Sequence, residues 1–430
     1  MGSSAVLRRW ISSSGISRSR SISYFSNSAA NRMMSTAATS GGVSSPPAPW
    51  LMLPPAVDES GDLAYRFQSL ATKEELIHKN KISSDELQLD ELQLPAEIDL
   101  IKDVDFVGSS HGWLALYNRR STDLFLSNPI ADRHVKLPPL PGADRVILSA
   151  SDAPLAFATF GSRRELAFCR PHRRGGEWTH FGGDYTYDNL VYSTKHKRLF
   201  CVCHEQEYYG INIILEGWDV DRIEERPPKL DWVIQGNDEL NLADYRRDWP
   251  GRSEFKKECL QVFYMVCDEH SGDVFLVVRH VNPRVGPFGA LVDKIVLSHY
   301  RGCHFMKIPY KTFDFDVYRI DFERGEVINM VGSLGGLAIF LGINEPFTIP
   351  AIAGVVKADC IYFTDENVLV GPTKLEKTSY GGHDNGVFDY EKKDFYPCCD
   401  LYPIEYEKIR KILPLPLWFT PAAAALFDSK

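Results

Sequence analysis

Hydrophobic positions along this chain fall into short clusters, each closed by glycine, aspartate, asparagine or proline. The pattern is clearest in Ser109-Ser110-His111-Gly112-Trp113-Leu114-Ala115-Leu116-Tyr117. It continues in Thr122-Asp123-Leu124-Phe125-Leu126-Ser127-Asn128-Pro129 and in Val135-Lys136-Leu137-Pro138-Pro139-Leu140-Pro141. Aromatic and branched side chains suit a pleated, packed surface, while the punctuating residues suit tight turns, so the stretch predicts strand, turn, strand, turn, short strand. The same texture runs on from about residue 100. Residues 155–160 are expected to pair with 165–169 across Gly161-Ser162, and 189–192 with 198–203; 208–218 adds another strand. His270-Ser271-Gly272-Asp273 closes a hairpin between 261–267 and 274–279, and Arg324-Gly325 closes one between 316–322 and 326–330. Residues 360–363 and 386–390 complete the series.

A β-sandwich buries such strands for one or two hundred residues; roughly 300 residues of them, with little helix between, favour radial repetition. The fold class expected is all-β, a β-propeller. At about 40 to 50 residues per four-stranded blade, the length allows six or alternatively seven blades. Trp113, Trp178 and Trp218 suit the wedges between blades, and the charged segment 222–258, with Pro227-Pro228, reads as a surface excursion. Residues 415–419 are expected to supply the strand that closes the ring.

The N-terminal part has a different character. Residues 62–80 carry an imperfect helical stripe of Leu63, Phe67, Leu70 and Ile77, and an acidic segment, 85–94, ends at Pro95. The first 57 residues hold five arginines (Arg8, Arg9, Arg18, Arg20, Arg32), abundant serine, and no lysine, aspartate or glutamate. That is the composition of an organellar transit peptide, with Val6, Leu7, Trp10 and Ile11 on one side of a short cationic helix. Gly41-Gly42 and Ser44-Ser45-Pro46-Pro47-Ala48-Pro49 supply a flexible linker, and processing is expected around Met33-Met34-Ser35. The domain organisation expected is a leader and linker over 1–57, a helical and acidic segment over 58–99, the propeller over 100–421 and a tail over 422–430. The localisation expected is the mitochondrion, with the chloroplast or dual targeting as the alternative. No apolar run approaches the roughly 18 residues of a membrane span, so the mature protein is expected to be soluble.

Charge changes the picture of partners. The chain carries 48 basic and 57 acidic side chains, for −9; without the leader's five arginines the rest stands at −14. A body this acidic disfavours non-specific nucleic-acid binding, despite Arg163-Arg164 and Arg170-Pro171-His172-Arg173-Arg174. The nine cysteines are odd in number and scattered, which argues against a disulfide framework.

Candidate chemistry is sparse. Gly108-Ser109-Ser110-His111-Gly112 matches the G-x-S-x-G nucleophile elbow, with Asp365 and His383 following in the right order. That motif requires a strand turning sharply into a helix, whereas residues 113–117 read as a second strand, so the glycines are expected to serve a blade boundary. Cys201-Val202-Cys203-His204 has strand spacing that places both thiols on one face, but lacks a fourth ligand. Cys398-Cys399 reads as a turn, His299, Cys303 and His304 as loop residues, and Gly371-Pro372-Thr373-Lys374 is too short for a phosphate loop. No catalytic, cofactor-binding or metal residue is assigned, and no cofactor is expected.

The ordered set of motifs resembles the plant family of domain-of-unknown-function 295 proteins, the KIB-type β-propeller family, and within it the organellar branch lacking an F-box. The resemblance rests on residues 108–114, 126–129, 135–140, 166–171 and 315–322. Ser333-Leu334-Gly335-Gly336-Leu337-Ala338-Ile339-Phe340-Leu341-Gly342 reinforces it, with 360–365, 386–389 and 416–421. Many relatives place an F-box before the propeller and resemble substrate receptors of ubiquitin ligases; residues 50–99 show no such helices. The function expected is a non-catalytic organellar scaffold or adaptor with a protein partner, bound at the top face or central mouth, where loops between strands converge on a rigid ring. The alternatives are an enzyme with an active site or metal at the central funnel, and an F-box-less adaptor acting in the cytosol.

Overall fold

The computed structural model describes residues 23–24, 48–57, 63–79, 104–150, 154–171, 176–207, 210–220, 228–235, 256, 259–283, 309–367, 380–398 and 411–421. Strands β1 (Ser23–Tyr24), β2 (Trp50–Val57), β3 (Leu63–Ser69) and β4 (Glu75–Lys79) lie in the order β1-β4-β3-β2. Three four-stranded antiparallel meanders follow. The first is β5 (Val104–Ser110), β6 (Trp113–Asn118), β7 (Leu124–Asn128) and β8 (Arg133–Leu137). The second is β9 (Ala143–Leu148), β10 (Ala156–Phe160), β11 (Glu165–Cys169) and β12 (Thr179–Phe181). The third is β13 (Thr186–Ser193), β14 (Arg198–Glu207), β15 (Gly210–Asp219) and β16 (Lys229–Gln235).

The next meander is β17 (Leu260–Cys267), β18 (Val274–Asn282), β19 (Lys311–Asp321) and β20 (Glu326–Asn329). A single parallel bridge, Cys267 to Phe347, joins it to a last group. That group is β21 (Leu337–Leu341), β22 (Phe347–Pro350), β23 (Cys360–Phe363), β24 (Gly386–Asp389) and β25 (Asp394–Tyr396), in the order β22-β21-β23-β24-β25. Strand β26 (Leu417–Phe419) then pairs antiparallel with β2, Trp50 opposite Phe419 and Met52 opposite Leu417.

Apolar clusters join these groups in cyclic order. One links β5–β8 to β9–β12 through Trp113, Val146 and Cys169, and the next links β9–β12 to β13–β16 through Phe157, Cys201 and Ile214. Phe200, Leu215, Met265 and Leu276 join β13–β16 to β17–β20; Phe275, Val317, Ile339 and Phe388 reach β21–β24. Leu51, Phe340 and Trp418 connect that group to β2 and β26, and Tyr65, Phe67, Leu114 and Phe419 return to β5–β8. The arrangement follows from the period-2 alternation of a strand. In β14, Cys201 and Cys203 face one cluster while Phe200 and Val202 face the other. In β26, Trp418 faces one side and Leu417 and Phe419 the opposite side. Strands packed on both faces read as continuous apolar runs, and a closed ring leaves no sheet edge at the join.

The expected hairpins form where the sequence placed them: Phe160 opposite Glu165, Ser193 opposite Arg198, Cys267 opposite Val274, and Asp321 opposite Glu326. The helical stripe over 62–80 does not: those residues form β3 and β4. Tyr65, Phe67 and Ser69 are buried on one face, and Arg66 and Gln68 are half-buried on the other. Helix spacing and strand alternation overlap in so short a run, and pairing with β2 decides between them. Strand β2 starts at Trp50, inside the stretch read as leader and linker, and buries Leu51, Met52 and Leu53. The acidic segment 85–94, His299, Cys303, His304, Cys399 and 371–374 lie outside the described residues.

Candidate functional site at the central mouth

Strands β26, β5, β9, β13, β17 and β22 are successive neighbours around the axis. The C-terminal ends of β5, β13, β17 and β26 and the start of β22 converge on a cavity of about 320 Å³. Its walls include Ser110, His111, Val191, Tyr192, Glu269, Glu345, Phe347, Ile349 and Trp418.

Glu345 stands at its centre, on the segment 342–346 between β21 and β22, and that segment is held by several groups of strands. The Glu345 N–H donates to Ser109 O at 2.9 Å, and Arg145 of β9 donates to the carbonyls of Gly342 (2.9 Å) and Asn344 (3.2 Å). Arg145 also pairs with Glu366 at 2.7 Å. Asn344 donates to the Glu345 carbonyl at 2.9 Å and accepts the Trp418 N–H at 3.4 Å. The Ser110 hydroxyl donates to Glu345 Oε2, and the Tyr192 N–H donates to Oε1 at 3.0 Å.

The Glu345 side chain is only 9% exposed. Burial lifts its carboxyl to about 8, the Ser110 and Tyr192 hydrogen bonds opposing and the Glu269 charge adding to the rise. His111 Nε2 lies 3.7 Å from Oε2, but burial pushes that imidazole below its usual value, so it supplies no fixed positive charge. Glu269 caps the β13–β14 turn, accepting the Thr194 N–H at 3.1 Å.

The G-x-S-x-G glycines have packing roles. A Cβ on Gly108 would lie 2.0 Å from Val146 O, so the first glycine lets β9 run against β5. Gly112 (φ 81°), after His111 (φ 49°), makes a two-residue turn into β6, Ser110 opposite Trp113. Ser110 is 5% exposed and also accepts the Leu148 N–H at 3.2 Å. His383 belongs to another network, its Nε2 3.0 Å from Tyr310 O and its Nδ1 3.6 Å from Asp365. Tyr310 donates to Asp365 at 2.7 Å.

That second network ties β18 and β19 to residues 364–365 and 382–385. Arg279, wholly buried, donates to Thr364 O (2.7 Å) and Asp384 Oδ2 (2.9 Å), and its Nε to Thr312 Oγ1 (2.7 Å). Nearby, Lys256 bridges Asp314 (3.0 Å) and Asp316 (2.7 Å), and His280 meets Asp316 at 2.6 Å. Burial would raise Asp316, but the His280 hydrogen bond and the Lys256 charge hold it well below the carboxylate range. These partners are matched pairs that bind one another.

Cys201 and Cys203 share a face, as their spacing predicts, but that face lies in an apolar cluster, where burial pushes both thiols away from the thiolate a metal needs. His204 meets Asp188 at 2.6 Å. Arg163 and Arg164 pair with Asp184 (2.9 Å) and Asp144 (3.1 Å). A larger cleft of about 770 Å³ lies away from the axis, between the β3–β4 turn, residues 351–358 and β25. It is lined chiefly by Leu70, Ile352, Val355, Tyr396 and main chain, with no carboxylate. Sequence reasoning overlooked Glu345 because Asn344-Glu345-Pro346 reads as an ordinary polar turn; its one signal was an acidic residue four positions after the apolar run 337–341. No helix among the described residues is long and apolar enough to cross a membrane.

No curated protein matches the chain. Among solved structures, it is similar at 9% identity to the Myceliophteria thermophila Cps50 (Swd1) β-propeller domain. That alignment covers 64% of this chain and 84% of the other, with a TM-score of 0.30. It is also similar at 9% identity to virginiamycin B lyase from Staphylococcus aureus, over 70% and 85% of the two chains, with a TM-score of 0.26. The family model described as KIB1-4 beta-propeller matches residues 81–389, well over half the chain. With its ring of mostly four-stranded sheets and its motifs in family order, the chain belongs to the KIB1-4 β-propeller family.

Proposed function

We propose that this chain is a non-catalytic, organelle-imported scaffold or adaptor that presents the central mouth of a six-bladed propeller to a protein partner. The count of six is supported by the cyclic set of apolar clusters among the described residues, with β26 completing the blade of β2–β4. Import rests on the acid-free, arginine-bearing N-terminal stretch, with the mitochondrion as destination and the chloroplast or both as alternatives. The observation that carries the binding reading is the mouth itself. Strand ends from across the ring place His111, Tyr192, Glu269 and Glu345 around one cavity, on a frame that positions them at low entropic cost.

One observation favours an enzyme as the second reading: a carboxyl lifted toward neutrality beside a serine in an axial cavity. Against it, Ser110 is buried, engaged with Leu148, and in a different network from His383. A cytosolic adaptor is the third reading. Fusing residues 1–49 to a fluorescent reporter separates it from the first: organellar fluorescence supports the proposal, and a diffuse cytosolic signal moves the protein to the cytosol. Quantitative co-purification with full-length protein tests the binding role, a reproducible stoichiometric partner being the expected result.

A further inference from the structure

We propose that the axial cavity receives one alkyl-linked cation, a lysine or arginine side chain of the partner, with Glu345 as its counter-ion. This rests on the scaffold reading and gives the mouth a chemistry. The cavity contains a carboxylate and has none of the cations that would neutralise it: its lining holds Glu345 and Glu269 but no lysine or arginine. Every other deeply buried acid of the second network faces a partner, as Asp384 does Arg279 and Asp314 does Lys256. Glu345 is nine-tenths buried, and among the described residues it meets the neutral donors Ser110 and Tyr192 and the depressed His111. Burying an unpaired charge is costly, so an incoming cation that restores the pair gains what the protein alone lacks.

Size and walls fit the same ligand. A volume of about 320 Å³ lies at the lower end of ligand sites, suited to one side chain. Val191, Phe347, Ile349, Trp418 and Pro421 offer apolar contact to a methylene stem. Glu269 at the rim and the chain's net charge of −9 favour approach of a cation and reject anions.

Binding is coupled to a proton. Around Glu345 stand His111 on the β5–β6 turn, Cys267 and Glu269 at the end of β17, and Arg145 of β9 behind the 342–345 segment. With the Glu345 carboxyl at about 8, it is mostly protonated at pH 7, and the cation displaces that proton. About 0.9 proton is then released per cation bound at pH 7, and affinity rises about eightfold between pH 7 and 8.5.

Calorimetric titration of the full-length chain tests this with Nα-acetyl-lysine methylamide, Nα-acetyl-arginine methylamide, n-butylamine, and the neutral isostere Nα-acetyl-norleucine methylamide. The expected result is saturable binding of the lysine or arginine derivative, at least tenfold weaker for norleucine and for Glu345→Gln. Proton release is read from wild-type protein in buffers of different ionisation enthalpy, so it stands even if the variant misfolds. Butylamine binding as tightly as the lysine derivative would place the source in free amines and overturn the side-chain assignment. Equal binding of norleucine, absence of proton release, or failure of all cations overturns the cavity's proposed chemistry. The scaffold reading falls separately, if no stoichiometric partner co-purifies at all.

Discussion

Replacing Glu345 with glutamine isolates the cost of placing an acid on the propeller axis. The glutamine keeps an acceptor for the Tyr192 N–H and a partner for the Ser110 hydroxyl, and removes only the titration. In the folded chain burial moves the carboxyl from 4.5 to about 8. A raised folded value means that folding takes up a proton throughout that window, so stability is fully present below 4.5 and is lost as pH rises through 8. At about 1.4 kcal/mol per pH unit, the loss amounts to about 5 kcal/mol across the window. The other residues lining the cavity are the same in both proteins, so the difference reports Glu345 alone. The assay is urea denaturation of wild type and Glu345→Gln at intervals from pH 4.5 to 9. The variant's stability relative to wild type should grow with pH and level off above about 8. Parallel curves would refute the reasoning, since they would mean that Glu345 ionises as freely in the folded chain as in the unfolded one.

Other perturbations test the frame around that site. Gly108→Ala drives a methyl group to 2.0 Å from Val146 O, and should lower the denaturation midpoint by an amount equivalent to about 1–3 kcal/mol; an unchanged midpoint would mean that β5 and β9 separate freely. Trp418→Ala removes a wholly buried ring packed on Phe340 (5.1 Å between centroids) and should cost about 3–5 kcal/mol. Deletion from Leu415 onward should destabilise the whole ring by exposing the edge of β2, and cooperative thermal unfolding unchanged by that deletion would rule closure out. Asp384→Ala leaves the Arg279 guanidinium buried without its carboxylate and should cost about 3–5 kcal/mol by chemical denaturation; a loss below 1 kcal/mol would mean that water reaches Arg279.

The strand pattern was legible because turn chemistry and alternation agree. Gly161-Ser162, His270 to Asp273 and Arg324-Gly325 each sit between runs of the right length, and each forms its hairpin. The closing role of 415–419 was legible too, but its partner was not. Trp50-Leu51-Met52-Leu53 follows a proline-rich linker directly, and only a pairing some 365 residues away in sequence makes it a strand. Residues 62–80 misled for a related reason: Leu63, Phe67 and Leu70 fit helical spacing, while Tyr65, Phe67 and Ser69 fit strand spacing, and only the neighbour β2 selects between them. The site was least legible of all. Glu345 gains its character from Ser110, Tyr192 and Glu269, which lie 235, 153 and 76 positions away and meet only when the ring closes. The G-x-S-x-G motif, by contrast, was visible in sequence and dissolves into a packing glycine and a turn.

The central claim is that the mouth of this propeller binds a protein partner and performs no chemistry of its own. It is tested most directly by affinity purification of the full-length chain from intact organelles, with quantitative mass spectrometry and metal analysis of the same eluate. A reproducible stoichiometric protein partner is expected, retained by wild type and depleted when Glu345→Gln or Glu269→Gln alters the mouth. A protein that emerges alone, carrying a bound ion or small molecule, would contradict it and make the axial cavity an active site.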